Sequence, residues 1–350
     1  MRRRNLSMLI AFLFIGNVSI SYAQEENNEK DKFFVSAQIR TRGEYRNGAL
    51  YPRNEGDLPS GFINERARLS LGYERQRLSL KFSAQHVGVW GQDALVDKNG
   101  RFILNEAWAA FEFNDYWFMQ LGRQALSYDD ERILGGLDWN VAGRYHDALK
   151  IGYRKNGHQL HGIFAFNQND ENVIGGTFYD SSKTKLYKNM QTLWYHYDFA
   201  STPLQFSIMA MNLGQEGGDA ESRKSDTQYM QTFGTYIKYA PGQWDLSGAF
   251  YYQFGKNVSS RSVSAFMGSA RASYNINKSW SVNVGTDYLS GNDKSDGTYK
   301  AFNPLYGTHH KFYGQWIISM LLILLEVITQ GFPILRLELV IRCLLQYRWE

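Results

Sequence analysis

Arg40 and Arg42 lie two residues apart, and so do Arg66 and Arg68. Side chains at i and i+2 of a strand point the same way, so each pair would set two guanidinium groups on one wall. Lys81 adds a cation in the next segment, and Glu44, Glu106 and Glu112 are available as partners. Guanidinium forks match carboxylates, and fixed positive charge around a pore selects anions. The spacing therefore supports a solute path formed by Arg40, Arg42, Arg66, Arg68, Lys81 and Glu106. Opposed Arg and Glu residues that only brace a protein interior fit it as well, and both uses stay open.

A second concentration of polar chemistry runs from Gly122-Arg123-Gln124 through Tyr128-Asp129-Asp130-Glu131-Arg132-Ile133-Leu134-Gly135-Gly136 and Asp138-Trp139-Asn140 to Gly143-Arg144-Tyr145-His146-Asp147-Ala148. A loop that is merely solvated has no need of Ile133, Leu134 and Trp139. This one is expected to fold inward and narrow whatever encloses it. Signals for catalysis are missing: there is no Gly-x-Ser-x-Gly, no His-Glu-x-x-His and no phosphate-binding loop. His309-His310 and Asp129-Asp130-Glu131 read as polar loop residues rather than metal ligands. No enzyme activity, cofactor or metal is expected.

These residues need a scaffold, and its period is two. Phe33, Val35, Ala37, Ile39 and Tyr45 alternate with Ser36, Gln38, Arg40, Arg42, Glu44 and Arg46. Ala67, Leu69, Leu71 and Tyr73 oppose Arg66, Arg68 and Ser70. Leu78, Leu80, Phe82 and Ala84 oppose Ser79, Lys81, Ser83 and Gln85. Each segment so reads as a strand with one apolar and one polar wall. Short turns are expected at 74–77, 114–115, 155–157, 200–203, 240–243 and 275–278. Long polar links are expected near 47–63, 88–103, 127–146, 168–189, 214–227 and 290–309. Short turns on one side and long loops on the other mark an outer-membrane barrel. Aromatics make up 15% of the chain and gather near strand ends, as interfacial girdles do. The expected fold is an all-β antiparallel transmembrane β-barrel with about 13–14 strands, each near the ~9–11 residues of a tilted spanning strand.

The N-terminus sets the compartment. Arg2-Arg3-Arg4, the apolar run Met8–Ile15 and Ser21-Tyr22-Ala23 form a secretory signal peptide, with cleavage after Ala23. The expected organisation is signal peptide 1–23, periplasmic lead 24–32, barrel 33–314 and an aberrant tail 315–350. The only cysteine, Cys343, lies in that tail, so no disulfide framework exists. A net charge of +4 is too small to imply nucleic acid, and no nucleic-acid partner is expected.

The run from Gly122 to Ala148, together with Phe302-Asn303-Pro304-Leu305-Tyr306-Gly307-Thr308-His309-His310-Lys311-Phe312-Tyr313-Gly314, resembles the motifs of the alginate-export porin family. That resemblance covers about residues 33–314. It implies a monomeric barrel of roughly eighteen strands, within the ~8–26 of bacterial barrels, with an arginine-lined, anion-selective lumen. Its constriction loop would carry Arg123, Asp129, Arg132, Arg144 and Asp147, pinned by Arg–Asp pairs involving Arg132, Arg144 and Asp147. The partners implied are outer-membrane lipid and lipopolysaccharide, the barrel-assembly machinery, and an anionic solute or polysaccharide. The alternative is a plugged barrel, structural or receptor-like, that transports nothing.

From Gln315 the texture changes. Trp316–Leu325 has no alternation and resembles neither a strand nor a clean spanning helix. A slip of reading frame accounts for it. Gln-Trp-Ile-Ile-Ser-Met can be encoded CAA TGG ATT ATT TCT ATG, and read from the third base this gives Met-Asp-Tyr-Phe-Tyr, an aromatic-rich strand start.

Overall fold

The computed structural model describes residues 15–24, 31–46, 54–92, 102–171, 176–182, 187–277, 280–292, 297–312 and 334–341. Contacts divide the chain into two units: residues 1–111, 122–146 and 306–318, and residues 112–121, 147–305 and 319–350.

The first unit is built on β1 (Ile15–Gln24), β2 (Asp31–Arg46), β3 (Ser60–Arg75), β4 (Leu78–Val89) and β5 (Phe102–Glu112). These strands pair antiparallel in chain order. β6 (Trp117–Gln124) carries the chain between the units. The second unit holds β7 (His146–Lys155), β8 (His158–Phe166), β9 (Asn189–Asp198), β10 (Leu204–Glu216), β11 (Thr227–Tyr239), β12 (Trp244–Lys256), β13 (Ser262–Asn275), β14 (Trp280–Leu289) and β15 (Ile334–Ile341). They too pair antiparallel in chain order.

All six expected short turns separate consecutive strands. The opposite links are long with one exception: Asn257–Arg261 closes β12 onto β13 in five residues, with Ser260 in left-handed backbone. That tight link was not foreseen from the sequence.

One strand face is apolar and open. Phe33 is 62% and Ile39 60% exposed, and Leu69, Phe82, Phe164, Leu193, Phe233 and Phe250 are exposed as well. Leaving a large apolar side chain in water forgoes about 1.5–3 kcal/mol each. A face built this way belongs in lipid, where strands can span only if their backbone groups are paired with neighbours. No helix among the described residues is long and apolar enough to cross a membrane, which says nothing about strands.

The other face is not uniformly polar, as the sequence reading had it. In the first unit it carries Arg66, Ser83, Gln85, Asn105 and Gln124, all buried. In the second unit Met190, Met209, Met211, Met230 and Met267 are buried among Thr192, Thr232 and Gln253. Neighbouring aromatics split between the faces: Trp194 and Tyr251 are buried, whereas Tyr252 is exposed. Tyr251 lies over Gly234, where an added Cβ would fall inside its ring.

Two expectations concern the ends. β1 overlaps the signal-peptide segment, and cleavage after Ala23 would remove all of it but Gln24. The rest of that segment, residues 1–14, lies outside the described residues, as does the tail apart from 334–341. Within the tail, Ile334–Ile341 pairs with β14, so a strand stands where none was expected. Its sequence does alternate, Leu335, Leu337 and Leu339 against Arg336 and Glu338, a period hidden by the leucine-rich surroundings.

Candidate functional site: an arginine wall and the loop that covers it

β2 and β3 pair in a register that sets Arg40 directly opposite Arg66, and Gln38 opposite Arg68. Like charges facing each other across a ladder repel, so this register needs a counter-charge from elsewhere. Glu44 does not supply it, because its carboxylate is taken by Arg42 at 2.6 Å and Arg46 at 2.7 Å. Glu106 is paired with Lys81.

The counter-charge is Asp138, in the loop that follows β6. Arg66 donates through Nη1 to Asp138 Oδ1 at 2.9 Å, and Arg68 Nη1 reaches the same oxygen at 3.1 Å. Arg40 donates to the main-chain oxygens of Asp138 at 2.8 Å and Asn140 at 2.7 Å. Arg42 donates to Trp139 O at 3.2 Å and sits 5.4 Å from the centre of that indole ring. Neutral acceptors complete the wall: Gln38 for Arg66 at 2.5 Å, Gln85 for Arg68 at 2.7 Å and Asn105 for Arg68 at 3.2 Å. Asn105 is the extra residue of a β-bulge, where the β4–β5 register shifts at Ser83/Ala84. Bulges re-aim side chains in this way. Burial works against the Asp138 carboxylate, but Arg66, Arg68 and Arg40 together outweigh it and hold its pKa below the ordinary value.

The loop is fastened a second time at its base. Ile133 and Leu134 are buried, and Gly135 N and Tyr306 N exchange main-chain bonds with Tyr306 O and Ile133 O at 2.9 and 3.0 Å. Thr308 N donates to Glu131 O at 2.8 Å. Arg132 pairs with Asp130 at 2.7 Å and stacks 4.0 Å from the Phe312 ring centre. Arg144 donates to the carbonyl oxygens of Tyr306 and, at 2.9 Å, Gly307. The two motifs singled out in the sequence, some 170 residues apart, thus form one packed body. Asp129, Glu131 and Leu137 hold left-handed backbone, a conformation that persists only where surrounding contacts impose it. Gly122, on β6 just before the loop, holds φ +121, and a Cβ there would meet the Trp108 backbone at 2.9 Å.

The structure gathers Arg40, Arg42, Arg66 and Arg68 into one cluster and pairs Lys81 with Glu106 beside it. Arg123 stacks 4.6 Å from the Tyr145 ring centre. Arg132 pairs with Asp130, and Arg144 binds carbonyl oxygens. Asp129 is partly buried at the loop base, while Asp147 is exposed on β7 in the second unit. Glu112 pairs with Arg154 in the second unit. Sequence reading missed Asp138 as the central carboxylate, and with it Gln38, Gln85, Asn105 and Asn140. The facing of Arg40 by Arg66 was the available signal, but it appears only once the register is known. Among the described residues no group of His, Cys, Asp or Glu side chains is arranged to hold a metal ion.

Among solved structures, the chain is similar to OpdK of Pseudomonas aeruginosa, crystallised with vanillate. The identity is 10%, the match covers 75% of this chain and 67% of that one, and the TM-score is 0.50. It is also similar to outer-membrane-expressed OmpT of Vibrio cholerae, at 11% identity, 76% and 78% coverage and a TM-score of 0.45. The first likeness supports the barrel fold. No curated protein matches. The family model described as alginate export matches residues 34–318. That span takes in most of β2, every strand from β3 to β14 and both motifs, and the chain belongs to the alginate-export family of outer-membrane channel proteins.

Proposed function

We propose that this channel passes anionic saccharides of the alginate type, or other anionic solutes, along an inner wall lined by Arg40, Arg42, Arg66 and Arg68. The carrying observation is charge balance: Arg66 and Arg68 share the single carboxylate of Asp138, while Arg40 beside them finds only the main-chain oxygens of Asp138 and Asn140. A wall that is only a brace would carry matched charges. An excess of guanidinium groups draws anions into a narrow path. The third loop, with Arg123, Asp129, Arg132 and Arg144, narrows that path.

The test is the reversal potential of the protein in planar bilayers under a potassium chloride gradient. Anion preference is expected, and Arg40→Glu with Arg68→Glu should lower it. A cation-selective parent channel would overturn the reading. The dense packing of the loop base on Tyr306–Phe312 favours a second reading, a plugged barrel that conducts nothing; it predicts no conductance steps in the same recording.

A further inference from the structure

The open face of the second unit is apolar except on β9, β10 and β11, where it carries a row of carboxamides. Gln191, Asn212 and Gln231 stand opposite one another across the three strands. Their chain neighbours Met190, Met211, Leu213 and Met230 are buried on the inner face, so the amides share the outer face with Leu193 and Phe233, each 54% exposed. The row is bonded head to tail. Gln231 Nε2 donates to Asn212 Oδ1 at 2.8 Å, Asn212 Nδ2 to Gln191 Oε1 at 2.7 Å, Gln191 Nε2 to Asn189 Oδ1 at 3.2 Å, and Asn189 Nδ2 to the Tyr229 hydroxyl at 3.5 Å.

Two glycines let the row lie flat. A Cβ on Gly214 would meet the Asn189 amide at 2.7 Å, and one on Gly255, at φ +96, would strike Gln231 Oε1. Each amide spends one N–H within the row and keeps a second, which has no partner among the described residues. Gly255 pairs with Met230, so one step further along the ladder Lys256 comes level with Tyr229. Lys256 is exposed and has no ion pair among the described residues.

The row lies near one end of its strands. Asn189 opens β9, and the links at that end, before β9 and after β10, are long, which places them outside the cell in an outer-membrane barrel. Free amide N–H groups deep in hydrocarbon are costly, but at this level they meet lipid headgroups. Along β11 the outer face passes from Phe233 to Gln231 to Tyr229 in steps of about 7 Å, with Lys256 beside the last. The order is apolar, then amide, then cation. We propose that this face binds one phosphorylated, N-acylated glucosamine lipid of the outer leaflet, the chemistry of lipid A. Its acyl chains lie on Leu193 and Phe233, its carbonyl and hydroxyl oxygens accept from the free amide N–H groups, and a phosphate meets Lys256. The row spans three strands, about 10 Å. A disaccharide headgroup covers that width, and the glycerol headgroup of a phospholipid does not. The site stands apart from the inner wall and holds whatever the lumen passes.

Native mass spectrometry of the full chain, released from detergent after incubation with equal amounts of diphosphoryl lipid A and phosphatidylglycerol, tests this directly. The parent should retain one lipid A in preference to phosphatidylglycerol. Asn212→Leu with Gln231→Leu should weaken that retention about tenfold, as the loss of two ordinary hydrogen bonds does. Lys256→Gln should weaken diphosphoryl lipid A and leave a dephosphorylated lipid A unchanged. Equal retention of the two lipids by the parent would overturn the proposal, and so would lipid A held at the parent level by the double variant. A dimer that the double variant dissolves would give the face to a second copy of the chain instead. The parent alone decides the competition, and heat-modifiable migration shows that each variant is folded.

Discussion

Each unit carries a cluster of charge, and the two are built on opposite principles. In the second unit Lys188 and Glu216, 4% and 2% exposed, pair at 2.9 Å. Glu216 also accepts from Ser225 Oγ at 3.0 Å and from the backbone N–H groups of Tyr179, Gly218 and Asp226 at 3.2, 3.1 and 2.8 Å. One cation meets one anion, and every lone pair has a donor. In the first unit Arg66 and Arg68 share one carboxylate that stays two-thirds open, and Arg40 has only main-chain oxygens. A saturated, dry pair has nothing left to offer a solute, and its effect is to fasten Tyr179 and Lys188 to the 216–226 turn. An unsaturated, wet cluster contributes little to stability and keeps its capacity for anions. Charge alone does not mark a functional site; incomplete compensation does.

Breaking the saturated pair should have the largest effect. Glu216→Ala leaves a buried ammonium without its partner and should cost about 3–5 kcal/mol, measured by urea unfolding in lipid vesicles followed by tryptophan fluorescence. Asp138→Asn in the same assay should cost less, about 1 kcal/mol, because Asp138 is two-thirds exposed and asparagine keeps an oxygen acceptor for the buried Arg66. Equal losses would erase the distinction between the clusters.

The latch at the loop base comes next. Leu134→Ala removes a fully buried side chain and should cost about 2–3 kcal/mol, the lower part of the range for such truncations. It should also free the loop, so limited proteolysis should cut between residues 125 and 146 while the strands survive. A loop that remains protected would place its anchorage in the arginine wall instead.

The smallest effect is a matter of pH. Asp138 titrates below its ordinary value in the folded protein, so its contribution is complete above the unfolded carboxyl value of about 3.9 and fades only as pH falls through the lower folded value. Amide hydrogen exchange at 138–142 should stay constant from pH 7 down to about 4 after correction for intrinsic rates, then rise below it. Release of this segment already between pH 6 and 5 would mean that some other group holds it.

Much of the scaffold could be read from residue order. The alternation of Phe33, Val35 and Ile39 with Gln38, Arg40 and Arg42 gave β2, and the six short turns fell where expected. Burial of the inner wall in the second unit was not legible, because Met209 and Met211 alternate with Ile208 and Ala210, and period two cannot choose a side when both are apolar. The strand at Ile334–Ile341 escaped notice for a related reason, since leucines before and after it mask its alternation.

The sequence by itself determined that strands form, which face of β2 and β3 is charged, and that the loop after β6 carries both apolar and ionic residues. These follow from bonds between near neighbours, from the two-residue repeat of an extended chain and from the chemistry of each side chain. Only the tertiary structure decided which carboxylate answers which arginine. Arg40 meets Asp138 across 98 residues and Arg66 across 72, and Arg144 meets Tyr306 across 162. Such pairings depend on strand register and on where a loop comes to rest. A shift of one residue between β2 and β3 would turn Arg66 to the lipid face, so the site exists only through a register that no local spacing encodes.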